Sequence, residues 1–138
     1  MSFLDASIFL VALGAPSPQR AHCMRVLALT LRGKLPATTS TEVIQEIVHA
    51  WGRRGRKSEA SSFAREILRD FPDVLSVTPA DISSACDLMQ RHPALHSRDA
   101  IHVATMLNNG IKQIISLDSD FDSIPEISRL APSAAIQI

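Results

Sequence analysis

Between residues 96 and 121 a helical run passes directly into an apolar strand, and this tandem sets the terms for the rest of the chain. The segment HSRDAIHVATMLNNGIKQIISLDSDF reads as a helix, a short turn, a buried strand and a second, acidic turn. Ala100, Val103, Ala104 and Leu107 recur at helical spacing, Ser97 is placed to cap the amino end, and Asn109-Gly110 stops the helix. Residues 111–117 carry enough β-branched and apolar side chains for a central strand. Asp99 then falls in the first turn of the helix, and Asp118 just past the strand's carboxyl end. Open parallel sheets collect their chemistry at that edge. Two acids brought there by different elements imply a shared site.

The rest of the chain supplies the partners of this unit. Residues 2–5 read as a short first strand ending on Asp5, followed by a helical turn over 6–13 and a break at Gly14-Ala15-Pro16. Ser17-Pro18 opens a helix, Ser as cap and Pro at the first helical position, that should run to about Arg32 and end at Gly33. Val26, Leu27, Leu29 and Leu31 are its buried residues. A second strand is expected over 35–38. Thr39-Ser40-Thr41-Glu42 matches a capping box, and the next helix carries Val43, Ile44, Ile47 and Val48 as its stripe, with Trp51 beyond. After a basic break, a helix over 58–70 and a third strand over 74–77 follow. Thr78-Pro79-Ala80-Asp81 caps another helix, with Ile82, Ala85, Leu88 and Met89 facing in, which His92-Pro93 ends. Pro125 begins an irregular tail, and 134–138 are expected to form a terminal edge strand. This alternation predicts an α/β fold, with a mostly parallel central sheet of four or five strands flanked by helices.

Bulk properties narrow the function classes. With 138 residues and 46% hydrophobic content, the chain is read as one domain, 1–138, with a real core. Fourteen basic and fourteen acidic residues cancel, which argues against an indiscriminate nucleic-acid coat but not against a local basic patch. Cys23 and Cys86 lack metal-type spacing and read as reduced, mostly buried thiols. The opening FLDASIFLVALGA has Asp5 inside it, lacks a basic leader and is too short to span a bilayer. A cytoplasmic, membrane-free protein is the expectation.

Four acids can now be collected. Asp5 follows the first strand, Glu46 lies in the helix after the second, Asp99 starts the late helix and Asp118 follows the late strand. A parallel sheet would bring all four to one edge. Carboxylates packed so closely repel, and without cations some would hold protons. Oxygen-only ligation of this kind suits Mg²⁺ or Mn²⁺ and a polyanionic substrate held through the metal. Glu42 competes with Glu46 for the second position; its assignment to the capping box leaves Glu46 for the site.

The segments FLDASIFL, STEVIQEI, SRDAIHVATML and ISLDSDF resemble, in order and spacing, the four acidic motifs of PIN-domain nucleases, whose compact prokaryotic members include the VapC toxins of toxin–antitoxin pairs. The resemblance covers nearly the whole chain. It implies a PIN-like fold and a metal-dependent endoribonuclease with Asp5, Glu46, Asp99 and Asp118 as catalytic acids, of which Asp5, Asp99 and Asp118 would hold metal. Ser7 occupies the place where that family often has a small polar residue, and Asp120 is a candidate supporting acid, with a structural role in the turn as the competing reading. The family also implies an RNA substrate, a small antitoxin that binds as an amphipathic segment, and a homodimer. The helices over 17–32 and 43–69 offer candidate antitoxin surfaces.

One cation would acidify a water near neutral pH, and a second at about 3.5–4 Å would stabilise the departing oxygen; one ion or two stays open. No His or Lys of the motifs suits general-base work, so the metal carries that task. Plainer roles compete. Asp5 could merely cap, Asp99 could favour a helix dipole, and Asp118 could cap the turn at 119–121. His102 reads as a packed or hydrogen-bonded histidine, not a ligand. Arg53, Arg54, Arg56 and Lys57 could contact RNA phosphates, or could be a solvated helix end. Trp51 reads as core or partner contact. The alternative to the enzyme is a non-catalytic metal- or partner-binding module. An Asp-nucleophile phosphatase is disfavoured because Ser7 stands where a second acid would be needed.

Overall fold

The computed structural model describes residues 1–71 and 73–137. Four strands form one sheet, β1 (Ser2–Leu4), β2 (Ala37–Thr38), β3 (Gln113–Ile115) and β4 (Ser128–Leu130), in the order β2-β1-β3-β4. Every pairing is parallel, with Phe3 opposite both Thr38 and Ile114, and Ile114 opposite Arg129. Seven α-helices accompany them among the described residues: α1 (Ala6–Ala12), α2 (Pro18–Leu31), α3 (Thr41–Arg53), α4 (Lys57–Asp70), α5 (Pro79–Arg91), α6 (Ser97–Asn108) and, after the last strand, α7 (Pro132–Ala135). The α/β fold with a parallel central sheet is the one expected. Strand β1 is buried at all three positions, the mark of a strand covered on both faces. Phe3, Leu4, Phe9, Met106, Ile114 and Phe121 are fully enclosed at the centre of the core.

Local signals mostly act where the sequence places them. Ser17 Oγ accepts the Arg20 N–H at 3.0 Å, and Gly33 takes φ +70° to turn the chain out of α2. At α5, Thr78 and Asp81 complete a reciprocal capping box.

Several expectations are corrected. The capping box at 39–42 does not form. Ser40 is the cap, accepting from the Val43 N–H, while Thr39 donates to the Leu4 carbonyl. Glu42 is therefore an acid of the first turn without a box partner. Helix α6 starts one residue early, with His96 in the cap position and no side-chain cap, so Ser97 is already helical. The central strand spans only Gln113–Ile115. The third strand at 74–77 reduces to one parallel bridge, Leu75 to Ser40. The reason is local: α3 begins at Thr41, leaving no further strand to pair with, and the Val77 N–H turns to Thr41 Oγ1. No edge strand forms over 134–137, and Ile138 lies outside the described residues. Pro132 at the first helical position starts α7 there, and the edge strand is β4, within the stretch read as irregular. Leu31, Val48 and Ile82 are exposed rather than core, as is Cys86, whereas Cys23 is buried and its thiol pushed up to about 11 by desolvation.

Candidate metal and nuclease centre

The site forms where the carboxyl ends of β1 and β3 meet the amino end of α6 and the second turn of α3. Asp5 directly follows β1 and occupies the cap position of α1, yet its side chain caps nothing. Its Oδ2 accepts from Ser7 Oγ at 2.9 Å and from Ser116 Oγ at 2.6 Å, and the residue is 5% exposed. Ser116, fully buried at the end of β3, also accepts the Asp118 N–H at 3.0 Å. Ser7 Oγ accepts the Leu117 N–H at 3.2 Å. Two serines thus stitch the first acid to the loop that carries the last.

Asp118 caps the short 3-10 turn Ser119–Ser123 through one oxygen, Oδ1, which accepts the Asp120 N–H at 2.9 Å. Its plainer role is therefore real, but it occupies half of the carboxylate. Glu46 is anchored in the same half-committed way. Its Oε1 lies 3.3 Å from Nε2 of His102, which is fully buried and stands 4.0 Å from Asp5 Oδ1. Because both neighbours are carboxylates, Nε2 carries the proton and donates; Nδ1 has no partner. Burial pulls the His102 pKa down, but the bond to Glu46 and the charges of Asp5, Glu46 and Asp99 outweigh it and raise the pKa overall. His102 is thus a packed, hydrogen-bonded histidine.

Asp99, in the first turn of α6, lies within electrostatic reach of the other three acids. Its carboxyl is pushed up to about 6, first by burial, then by the charge of Asp5, with Asp118 and Glu46 adding and His102 opposing. No Lys or Arg among the described residues forms an ion pair with Asp5, Glu46, Asp99 or Asp118. Three of the acids are held in place by hydrogen bonds to one oxygen, and the other oxygen takes no hydrogen bond among the described residues, though Asp5 Oδ1 lies 4.0 Å from His102 Nε2. The Asp99 side chain makes no hydrogen bond among the described residues. As placed, no three Asp, Glu, His or Cys groups of the described residues converge on a point as a metal's ligands would. The donor chemistry nonetheless fits a hard divalent cation: carboxylate oxygens, a surplus of negative charge, and one carboxyl driven toward protonation by burial and by the charge of its neighbours.

Glu42, the competitor, contributes to none of these contacts. Asp120 is exposed, and it lines a cleft of about 450 Å³ with Leu95, His96, Asp99, Ser119 and Asp122. The basic cluster sits elsewhere. Arg53 is seven residues past Glu46, roughly 10 Å along the helix axis. Arg53 and Lys57 line a separate recess of about 390 Å³, and Arg54 ends α3. Arg56 is engaged with Glu59 and lies 4.0 Å over the ring of Trp51, itself 3% exposed. Ser116 is the residue that reading the sequence missed. Its signal is its position two before Asp118 at a strand end, but an isolated serine in an apolar run reads as filler until the fold brings β1 beside it.

This arrangement of acids and sheet can be compared with known proteins. Residues 2–127 match the PIN domain family. The chain belongs to that family. Ribonuclease VapC13 of Mycobacterium tuberculosis is 33% identical over 131 residues, covering 95% of this chain and all 100% of that protein. Among solved structures, VapC20 of M. tuberculosis, described as a toxin that cleaves the sarcin-ricin loop, superposes with a TM-score of 0.76 at 24% identity. The match covers 91% of this PIN-domain chain and 95% of that one. A toxin–antitoxin complex from Klebsiella pneumoniae superposes with a TM-score of 0.69 at 16% identity, over 96% and 98% of the two chains. At these identities the superpositions speak for the PIN fold.

Proposed function

We propose that this PIN-domain protein is an endoribonuclease that hydrolyses RNA phosphodiester bonds with Mg²⁺ or Mn²⁺, and that it is the toxin of a toxin–antitoxin pair. The observation that carries the reading is the gathering of Asp5, Glu46, Asp99 and Asp118 at one sheet edge, where no Lys or Arg of the described residues forms an ion pair with them. VapC ribonucleases among its relatives supply the substrate class. In this reading the whole chain, 1–138, acts as one nuclease domain.

Asp5, Asp99 and Asp118 would hold the cation, with Glu46 beside them, and one ion or two would serve. When bound, the cation supplies Lewis-acid activation of water and charge neutralisation at the scissile phosphate. The chain's own residues do the positioning. Ser7 and Ser116 hold Asp5 by Oδ2, so that Oδ1 faces the cluster; the turn at Asp120 fixes Asp118; His102 fixes Glu46. His102 is enclosed and already bonded, so it cannot reach a substrate proton. Asp120 lines the adjoining cleft as a supporting acid. Arg53, Arg54 and Lys57, away from the acids, would touch phosphates of a longer RNA, with Arg56 less free to do so.

An antitoxin segment would cover the site, as the Klebsiella complex is described as a toxin with its antitoxin. Pairing as a homodimer belongs to the same proposal, as does a cytoplasmic location. No helix of the described residues is long and apolar enough to cross a membrane. The test is cleavage of RNA by purified protein with Mn²⁺ or Mg²⁺, with and without chelator, for wild type, Asp5→Asn and Asp99→Asn. Loss of cleavage in both variants and in chelator is expected. Cleavage that survives them refutes the assignment, and cation binding with no cleavage by wild type favours a non-catalytic module.

A further inference from the structure

Strand β4 carries a side chain that reaches back across the sheet edge toward the acids. Arg129, on this edge strand, is 18% exposed at its side chain. Its Nε and Nη2 donate to the two oxygens of Asp122 at 2.9 and 3.0 Å, and its Nη1 donates to the Ser116 carbonyl at 3.0 Å. These anchors bracket one short loop. Ser116 stands at its start, at the end of β3, and Asp122 lies in the 3-10 turn beyond Asp118. Ser116 also holds Asp5 through its hydroxyl, so the same guanidinium bears on the first and last acids together. Asp118 lies near enough that its charge acts on Arg129, after that of Asp122.

A role in overall stability fits these contacts poorly. Asp122 is 54% exposed at its side chain, and ion pairs with one exposed partner contribute little. What a planar fork with three directed bonds does well is fix relative position, and a lysine has no equivalent geometry.

We propose that Arg129 is a positioning residue for the acidic centre, clamping the loop 116–122 so that the free oxygen of Asp118 keeps its place beside Asp5 and Asp99. The inference rests on the nuclease reading for its catalytic consequence, but not for its structural one. Arg129→Met and Arg129→Lys are compared with wild type in three measurements: amide hydrogen exchange, thermal unfolding, and steady-state cleavage of an RNA oligonucleotide with Mn²⁺.

In Arg129→Met, exchange at the amides of Leu117, Asp118 and Asp120 should quicken on the order of tenfold while β1 and β3 keep their protection. Turnover should fall about 10- to 100-fold through kcat, with KM within about twofold. Arg129→Lys, which meets one anchor but not both, should recover only a small part of the lost turnover.

Unchanged loop exchange in Arg129→Met overturns the clamp, and so does turnover within about twofold of wild type. Full rescue by lysine would assign the effect to charge alone and also overturn it. Exchange that rises evenly across all strands would make Arg129 a general stabiliser and overturn it as well. The exchange measurement needs no catalysis, so a wild type that cuts no RNA removes the nuclease reading while leaving the clamp to be judged on the loop.

Discussion

Ser116→Ala is the sharpest probe of how the acidic centre is built. The substitution removes one oxygen from a fully buried position and leaves two groups short of a partner: Asp5 Oδ2, at 2.6 Å, and the Asp118 N–H, at 3.0 Å. A hydrogen bond to a buried charge contributes about 1.5–3 kcal/mol. Ser7 Oγ stays on the same carboxylate oxygen at 2.9 Å, so the loss at Asp5 belongs at the lower end, about 1.5 kcal/mol. The orphaned N–H of half-buried Asp118 adds about 1 kcal/mol. The sum is about 2–3 kcal/mol, which for a chain of 138 residues lowers the unfolding temperature by about 7–10 °C.

Urea unfolding followed by the fluorescence of Trp51, the chain's one tryptophan, measures this directly. A double-mutant cycle with Asp5→Asn should give a coupling of about 1–1.5 kcal/mol. If Ser116→Ala lies within about 0.5 kcal/mol of wild type, or the two substitutions are additive, the serine bridge is not holding Asp5 and the reasoning fails.

Three further outcomes follow from the same geometry. Asp99 has a folded-state pKa of about 6 against an ordinary 3.8, so the native state binds the extra proton: its stabilising contribution is complete below the ordinary value and is lost as pH rises through about 6. In EDTA, Asp99→Asn should therefore unfold at a higher temperature than wild type at pH 7.5, with the gap closing toward pH 4; a variant less stable at pH 7.5 would contradict this. Glu46→Gln should lower RNA cleavage on the order of tenfold or more, while Glu42→Gln stays within about twofold, and equal effects would undo the choice between them. Ile114→Ala, in a fully buried position of β3, should cost about 3–4 kcal/mol by chemical denaturation, and a loss under 1 kcal/mol would mean the sheet centre repacks freely.

Much of this protein is written in short-range chemistry. The Ser17-Pro18 start, the Gly33 stop and the Thr78–Asp81 box each depend on groups within a few residues of one another, so the sequence alone determined them. The alternation of apolar runs and helical stripes likewise determined a parallel α/β fold, and with it the edge at which Asp5, Asp99 and Asp118 would gather. The capping box expected at 39–42 was overruled by the fold, because the distant Leu4 carbonyl takes the Thr39 hydroxyl, and the cap position expected at Ser97 falls on His96.

What tertiary structure decided is everything that joins distant segments. Ser116 meets Asp5 and Arg129 meets Ser116 only because parallel pairing sets β1, β3 and β4 side by side, and His102 meets Glu46 only because α6 packs against α3. The same holds for the edge strand at Ser128–Leu130, which pairs in register with β3 although its own three residues have little strand character. Hydrogen bonds across a sheet reward residues for their neighbours in space, and a single chain read in order does not reveal those neighbours.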